Sequence, residues 1–328
     1  MIRRAGLFLI ALTALALVAP VLAPYEAGQA FHEFLHAPPM RPHFDGLTPV
    51  VHPIVLADRL EQRFEPDLSR TVKLPWIEQD HNAPVFLLGA DDFGRDVLSR
   101  LLYGARTSIG LSLFATLGAV LIGALAGAWA GYRGGWVDEA IMRLADFVLV
   151  LPVIYVVLVL RAVLPLVLPA STVFLLVSGI FVLVGWPFVA KGVRAIVAAE
   201  RHREYVQAAR SLGAGPLRIL TRHLIPACGG HLLVQATLLL PAFILAEATL
   251  SFIGLGFPDP VASWGTMLAG AGNYNAVARF PWTLAPAAAI FLVVLSTNLL
   301  GTASSPEKVD RPADTPENAA NPVVQGLH

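Results

Sequence analysis

Several sets of side chains in this sequence carry groups that can do chemistry. His32, His36, His43 and His52 invite a metal centre, and His32 and His36 share a face if their stretch is helical. No cysteine or firm ligand spacing accompanies them, and Pro38, Pro39, Pro42, Pro49 and Pro53 break the segment, so they read as solvated loop histidines. Asp91, Asp92 and Asp96 resemble a carboxylate cluster for acid–base work. A helix N-terminus accounts for them better, with Asp91 or Asp92 as the cap and Arg95 and Arg100 on the same helix. Cys228 is the single cysteine, which excludes an internal disulfide and leaves a small apolar filler. Glu247 sits inside an apolar run, where an ionised side chain is costly. Two roles stay open for it: a pathway or gating group, or a structural hydrogen bond to a neighbouring helix. The only lysines are Lys73, Lys191 and Lys308, and none follows a G-x-x-x-x-G pattern, so a phosphate-cradling loop of the usual type is missing. No paired catalytic groups fall within the apolar runs, and neither an enzyme nor a cofactor is expected.

The elements that must position these residues are set by hydropathy. Of 328 residues, 56% are hydrophobic and only 14% charged, against about 25% in a soluble domain. Mean hydropathy is +0.66. Apolar runs of ~20 residues make bilayer spans, and six stand out. They cover Leu7–Ala23, Ile109–Ala130, Ile141–Leu164, Val173–Ala190, Leu232–Leu255 and Leu284–Leu300. The first follows Arg3 and Arg4, and although Val21–Ala23 loosely fits a signal cleavage site, Pro24 argues for a retained span. Gly123 and Gly127 form a GxxxG spacing that lets helix backbones approach. Pro152, Pro187, Pro241 and Pro286 within or beside the runs suit kinked helices in a bundle that rearranges.

Loop charge gives the orientation. Residues 191–223 hold seven Lys/Arg against two acids, whereas residues 25–103 hold seven against twelve. The positive-inside rule places the first segment in the cytosol. The expected fold class is therefore all-α: a polytopic membrane protein of six transmembrane helices with both termini cytosolic. Its parts are a first helix (1–24), an external segment with a pre-span helix (25–104), a five-helix core (105–301) and a disordered cytosolic tail (302–328). The core includes a cytosolic loop at 191–228. The external stretch reads as irregular, followed by a short amphipathic helix from Asp58 to Arg70. Arg143 and Asp146, three residues apart, suit an ion pair over one helical turn, and Arg161 suits snorkelling to headgroups.

The cytosolic loop has its own physics. Glu204 to Leu212 has good helix formers, with an acid early and Arg210 late, which matches the helix dipole. Gly213 is placed for a left-handed C-cap. Pro216 suits the first turn of a second helix through Leu217 to Leu224. Ala208 and Ala209 offer a small surface for close packing by another protein, although an ordinary helical hairpin would also read this way.

Arg203–Pro226 closely resembles the coupling loop of bacterial ABC-importer permeases of the dipeptide/oligopeptide/nickel family, with Ala208, Ala209, Gly213 and Pro226 at signature positions. Leu88–Arg100, Tyr103–Gly110, Ala130–Asp146, Glu247–Gly256 and Ser263–Leu268 are similar to further family segments in the same order. Together they cover about residues 86–301 and match the second of the two paired permeases. The resemblance implies alternating access. An external solute-binding protein delivers a short peptide, or a small solute such as nickel; two permease subunits form the pathway; and two ATP-binding-cassette ATPases drive it from inside a bacterial inner membrane. Glu204, Gln207, Ala208, Ala209, Gly213 and Pro226 would then couple to the ATPase. Gln207 stands where the family usually has Glu, the continuation after Gly301 departs from it, and the 25–85 loop is longer than a minimal permease requires. The alternative is an ion-coupled secondary transporter, which should show several ionisable residues inside its spans; only Glu247 is well inside one.

Overall fold

Two long helices lying side by side dominate the structure. The computed structural model describes residues 7, 11, 14, 17–19, 21–58, 62–78, 83–152, 155–159, 168–272 and 274–304. The expected first span and the tail from 305 onward thus lie largely or wholly outside the described residues, as does Arg161. Helix α1 covers Val97–Arg133, α2 Gly135–Val150 and α3 Ala170–Glu200. The short helices α4 (Glu204–Ser211), α5 (Pro216–Ile219) and α6 (Ile225–Ala227) follow, with a π-turn at Leu220–Leu224 between α5 and α6. Then come α7 (Gly229–Phe252), α8 (Trp264–Gly270), α9 (Tyr274–Arg279), a 3₁₀ turn at Pro281–Leu284 and α10 (Ala285–Ser304). Among the described residues, four helical stretches are long and apolar enough to cross a membrane: Val97–Arg133, Ala170–Glu200, Gly229–Phe252 and Pro281–Leu299.

Helices α1 and α3 pack in parallel. The rings of Phe114 and Phe174 lie 5.8 Å apart at one level. Further along, Gly118 faces Val182, Gly123 faces Trp186 and Val189, Gly127 faces Ala190, and Gly131 faces Arg194 and Val197. The glycine stripe is what permits this approach, because a Cβ on Gly123 would come 2.7 Å from the Trp186 carbonyl oxygen. Small residues replace the hydrophobic drive that helix association lacks in lipid. At 37 residues and ~1.5 Å per residue, α1 is about 56 Å long. It therefore outreaches the ~30 Å hydrocarbon core.

The third apolar run does not form one unbroken helix. Leu151, just before Pro152, has φ −69° and ψ 120°, as expected where a proline bars the preceding residue from helical geometry. Pro187 and Pro241 are instead carried inside α3 and α7. The fourth span also runs on past Ala190 to Glu200, so the compact part of the loop begins only at Arg201. The last helix continues through Ser304, slightly past the expected start of the tail.

The segment before α1 overturns the all-α expectation. The chain is mostly helical, but β1 (His43–Asp45), β2 (Thr48–Val51) and β5 (Val72–Lys73) form an antiparallel sheet in the order β1-β2-β5. Strands β3 (Ile54–Asp58) and β4 (Arg63–Pro66) form a separate antiparallel pair. The predicted amphipathic helix from Asp58 to Arg70 is therefore wrong. Val50, Val51, Ile54 and Val55 are β-branched, while Phe64 alternates with Arg63 and Glu65, a period of two rather than 3.6. These strands close over a small core of Ala37, Met40, Val51, Val85, Phe86 and Ala90. The segment is seated on the N-terminal end of α1, where the Phe31 N–H donates to the Gly94 carbonyl (3.0 Å) and the His36 N–H to that of Asp91 (2.9 Å).

Candidate coupling elbow and buried carboxylate

The end of α3 is bound firmly to its neighbours. Arg194 Nε donates to both Asp138 oxygens, at 2.9 and 3.1 Å, and this guanidinium holds the Asp138 carboxyl below its usual range. Arg201 Nη1 reaches the carbonyls of Gly131 (3.0 Å) and Tyr132 (3.2 Å), two of the orphan acceptors at the end of α1. Lys191 pairs with Asp146, and Arg143 with Glu139. The expected Arg143–Asp146 pair is replaced, because Glu139 lies four residues before Arg143 and Lys191 reaches Asp146 from α3.

Helix α4, by contrast, meets the body through buried Val206, the Tyr205 hydroxyl donating to Glu200 (2.8 Å) and Arg210 over the Tyr132 ring. Its start at Arg203 is extended and lacks a side-chain cap, Glu204 occupies the first turn, and Arg210 the last. Val206 is its one buried residue. Glu204, Gln207 and Ala208 are exposed, and Ala209 is half-buried. Gln207 Nε2 turns back to the His202 carbonyl at 3.0 Å. Gly213 has φ +83°, and the N–H groups of Gly213 and Ala214 close on the Arg210 and Ala209 carbonyls, as the glycine cap requires. Leu212 and Leu217 lie 89% and 72% exposed, an apolar surface left bare at the turn. Pro216 opens α5 as expected. The second helix does not run smoothly to Leu224. Pro226 has no N–H for the Arg222 carbonyl, and the Ile225 N–H bonds five residues back to Leu220, which makes the π-turn. Pro226 itself is exposed, whereas Ile219, Leu220, Leu224 and Cys228 root the joint in the main core. Burial pushes the Cys228 thiol up to about 11, so it stays protonated.

At the other end of α7, Glu247 is 1% exposed. Ser108 Oγ on α1 donates to its Oε2 (2.6 Å) and Ser251 Oγ to its Oε1 (2.7 Å). The Trp264 N–H on α8 donates in turn to Ser108 Oγ at 3.1 Å. One carboxylate thus joins three helices, and both its oxygens are engaged. Helix α8 comes this close because Gly265 lacks a Cβ, which would sit 2.6 Å from the Ala248 carbonyl oxygen.

The sequence reading missed a charged clasp at the start of α1. The N-cap is Asp96, not Asp91 or Asp92, and Arg95 precedes the helix. Asp91 instead receives Arg95 Nε at 2.7 Å and stands 3.4 Å from Arg100 Nε. Arg95 Nη1 also donates to Asp259 (3.1 Å), which ties down the loop between α7 and α8. Arg100, 2% exposed within an apolar helix, was the available signal.

Comparison with known proteins bears on this geometry. The family model for the binding-protein-dependent transport system inner membrane component matches residues 100–308. The chain is 39% identical over 220 residues to the oligopeptide transport system permease protein OppC of Bacillus subtilis, covering 65% of this chain and 68% of that one. It is 34% identical over 296 residues to the di/tripeptide transport system permease protein DppC of Pseudomonas aeruginosa, covering 90% and 83%. Among solved structures, an inward-facing MetNI methionine ABC transporter aligns at TM-score 0.46 and 17% identity, over 62% of this chain and 96% of that one, a likeness too distant to fix a conformation.

Proposed function

This chain belongs to the family of binding-protein-dependent transport system inner membrane components, and from that membership we propose a specific role: one permease of an ATP-driven importer of short peptides in a bacterial inner membrane. The family works with ATPase subunits and a solute-binding protein, and the chain is a multi-pass membrane protein. The peptide cargo is carried over from the names of the relatives. In the proposed arrangement six spans leave both termini in the cytosol, and a second, different permease completes the pathway.

The observation that carries the coupling role is the contrast between the stapled end of α3 and the bare helix α4. An element with one buried anchor, a glycine-capped end and exposed Leu212 and Leu217 suits a surface that an ATPase covers. Glu204, Gln207, Ala208 and Ala209 would form the contact, with Gly213 and Pro226 shaping the elbow. Glu247 is proposed as the tie between α1, α7 and α8 near the mouth of the pathway, able to gate it only if its two serine bonds break.

The test is co-purification of the ATPase subunits with the assembled complex. Ala208→Asp should abolish ATPase association while the two permeases still co-purify. Unchanged association, or labelling of a Leu212→Cys variant from the periplasmic side, overturns the assignment.

A further inference from the structure

The strand-containing segment holds a cleft of about 630 Å³, lined wholly by residues that precede α1. Its wall includes Ile54, Val55 and Leu56, three successive residues of β3. Side chains alternate between the faces of a strand, so a cavity over one face would touch only every second residue. Contact with three in a row brings the strand's backbone as well as its side chains into the wall, and Phe64 of β4 joins them. Among the described residues β3 pairs only with β4, so the other edge of its first three residues, Ile54 to Leu56, carries no strand ladder. Opposite β3 stands the His32–Leu35 turn, and the stacked rings of Phe34 and Phe64, 6.1 Å apart, supply an apolar floor. Glu33, Asp67 and Arg70 line the cleft, and the Arg70 charge helps hold the Asp67 carboxyl below its usual range, after the Ser69 hydrogen bonds. Val55 is 57% and Leu56 38% exposed, an unusual exposure for neighbouring apolar strand residues beside a concave surface.

We propose that this cleft binds a short peptide in extended conformation, its backbone pairing with the free edge of β3 and a side chain resting on Phe34 and Phe64. This rests on the peptide-permease reading above. A free edge of three residues at ~3.3 Å each spans about 10 Å, enough to pair three or four residues. The volume lies within the roughly 300–1,000 Å³ of ordinary ligand pockets. Backbone pairing gives affinity without demanding one sequence, as strand addition does elsewhere, and the opposite charges of Glu33 and Arg70 suit the two ends of a zwitterion. The segment is hydrogen-bonded to the start of α1, so the occupant sits at the end of α1 opposite the coupling elbow. In the proposed orientation that is the outer face, where a peptide released from its carrier would be held before it enters the bundle.

The experiment uses the full chain in lipid nanodiscs and a tetrapeptide, Ala-Phe-Ala-Lys, labelled on the lysine, read by fluorescence anisotropy. Saturable binding is expected. Val55→Trp, which fills the cleft from an exposed position, and backbone N-methylation of the peptide should each weaken it about tenfold, the loss of one or two hydrogen bonds or their contact area. Arg70→Ala should weaken the zwitterionic peptide but not its capped, amidated form. Circular dichroism and thermal unfolding of the variants must match the parent chain. No binding, or binding indifferent to both Val55→Trp and N-methylation, overturns the proposal, as does cross-linking of a Val55→Cys variant to the solute-binding protein with no competition by peptide. Peptide uptake by the assembled transporter is measured alongside: uptake without cleft binding removes this site alone, whereas cleft binding without uptake removes the peptide-import reading.

Discussion

Replacing Asp96 with asparagine should make the protein more stable at neutral pH, although it removes a charge from a helix N-terminus where negative charge is normally welcome. Asp96 caps α1 and is 2% exposed. Its Oδ2 accepts from the Ser99 N–H at 2.7 Å and the Ser99 hydroxyl at 2.6 Å, while Oδ1 lacks a partner among the described residues. Burial outweighs the Ser99 hydrogen bonds and lifts this carboxyl from its usual 3.8 to about 6. A rise of about 2 in pKa corresponds to about 3 kcal/mol. The sign follows from proton affinity: the folded chain holds this proton more tightly than the unfolded chain, so low pH favours folding. The residue's contribution is fully present below about pH 4 and is lost as pH climbs through 6. Asparagine stays neutral and caps as well as aspartate, so Asp96→Asn should gain about 1–3 kcal/mol at pH 7.5 and nothing at pH 4. Asp96→Ala also sheds the buried charge but gives up the cap, at a cost of about 1 kcal/mol. The assay is thermal unfolding in nanodiscs at pH 4.5, 6 and 7.5, read as the difference between variant and parent so that other titrating groups cancel. An Asp96→Asn difference that stays flat across that range refutes the desolvated-carboxylate account.

Two further perturbations bear on the bundle. Gly127→Val should separate α1 from α3, because its new Cβ strikes the Ala190 backbone, which cannot yield as a side chain could; the expected loss exceeds about 3 kcal/mol and appears as aggregation on size-exclusion chromatography, whereas Gly110→Ala, at a glycine with open space around it, should run as the parent. Glu247→Gln should keep the fold, since its amide can still bond both serines, while Glu247→Ala strands Ser108 and Ser251 and costs about 2–4 kcal/mol. Transport by the stable Gln variant separates the two roles: retained uptake means a structural tie, and lost uptake means a gate.

What the sequence made legible was local. Twenty-residue apolar runs anticipated the four helical stretches long and apolar enough to cross a membrane among the described residues, and Gly213 and Pro216 could be placed because left-handed φ and a missing N–H are properties of single residues. Register and pairing were not legible. Asp91, Asp92 and Asp96 all look like caps, and only the serine three residues after Asp96 distinguishes the true one. Arg95 and Asp259 meet across 164 positions, beyond the reach of any periodicity. Asp146 turned away from Arg143 because a second helix offered Lys191, a choice made by tertiary contact. The strands failed for a different reason: a run of alternating charge from Asp58 to Arg70 fits a solvated helix face as well as a hairpin until Phe64 finds Phe34.

The two ends of the elbow differ in stiffness, and that difference bears on how force would travel. On the α3 side, Arg194–Asp138 and the Arg201 bonds to Gly131 and Tyr132 fasten α1, α2 and α3 into one block, so a push on α4 cannot easily rotate α3 alone. On the α7 side, the chain passes through Gly213, the short α5 and the π-turn at Leu220–Leu224, where Pro226 has removed a helical hydrogen bond. The softer route therefore leads into α7, whose start is packed in the main core through Leu220, Leu224 and Cys228. Helix α7 carries Glu247 at its far end, bonded to α1 through Ser108 and, through the same hydroxyl, to α8. If ATPases grip α4, displacement should load that three-helix tie before it deforms the α1–α3 seam, whose glycine-to-backbone contacts leave no slack.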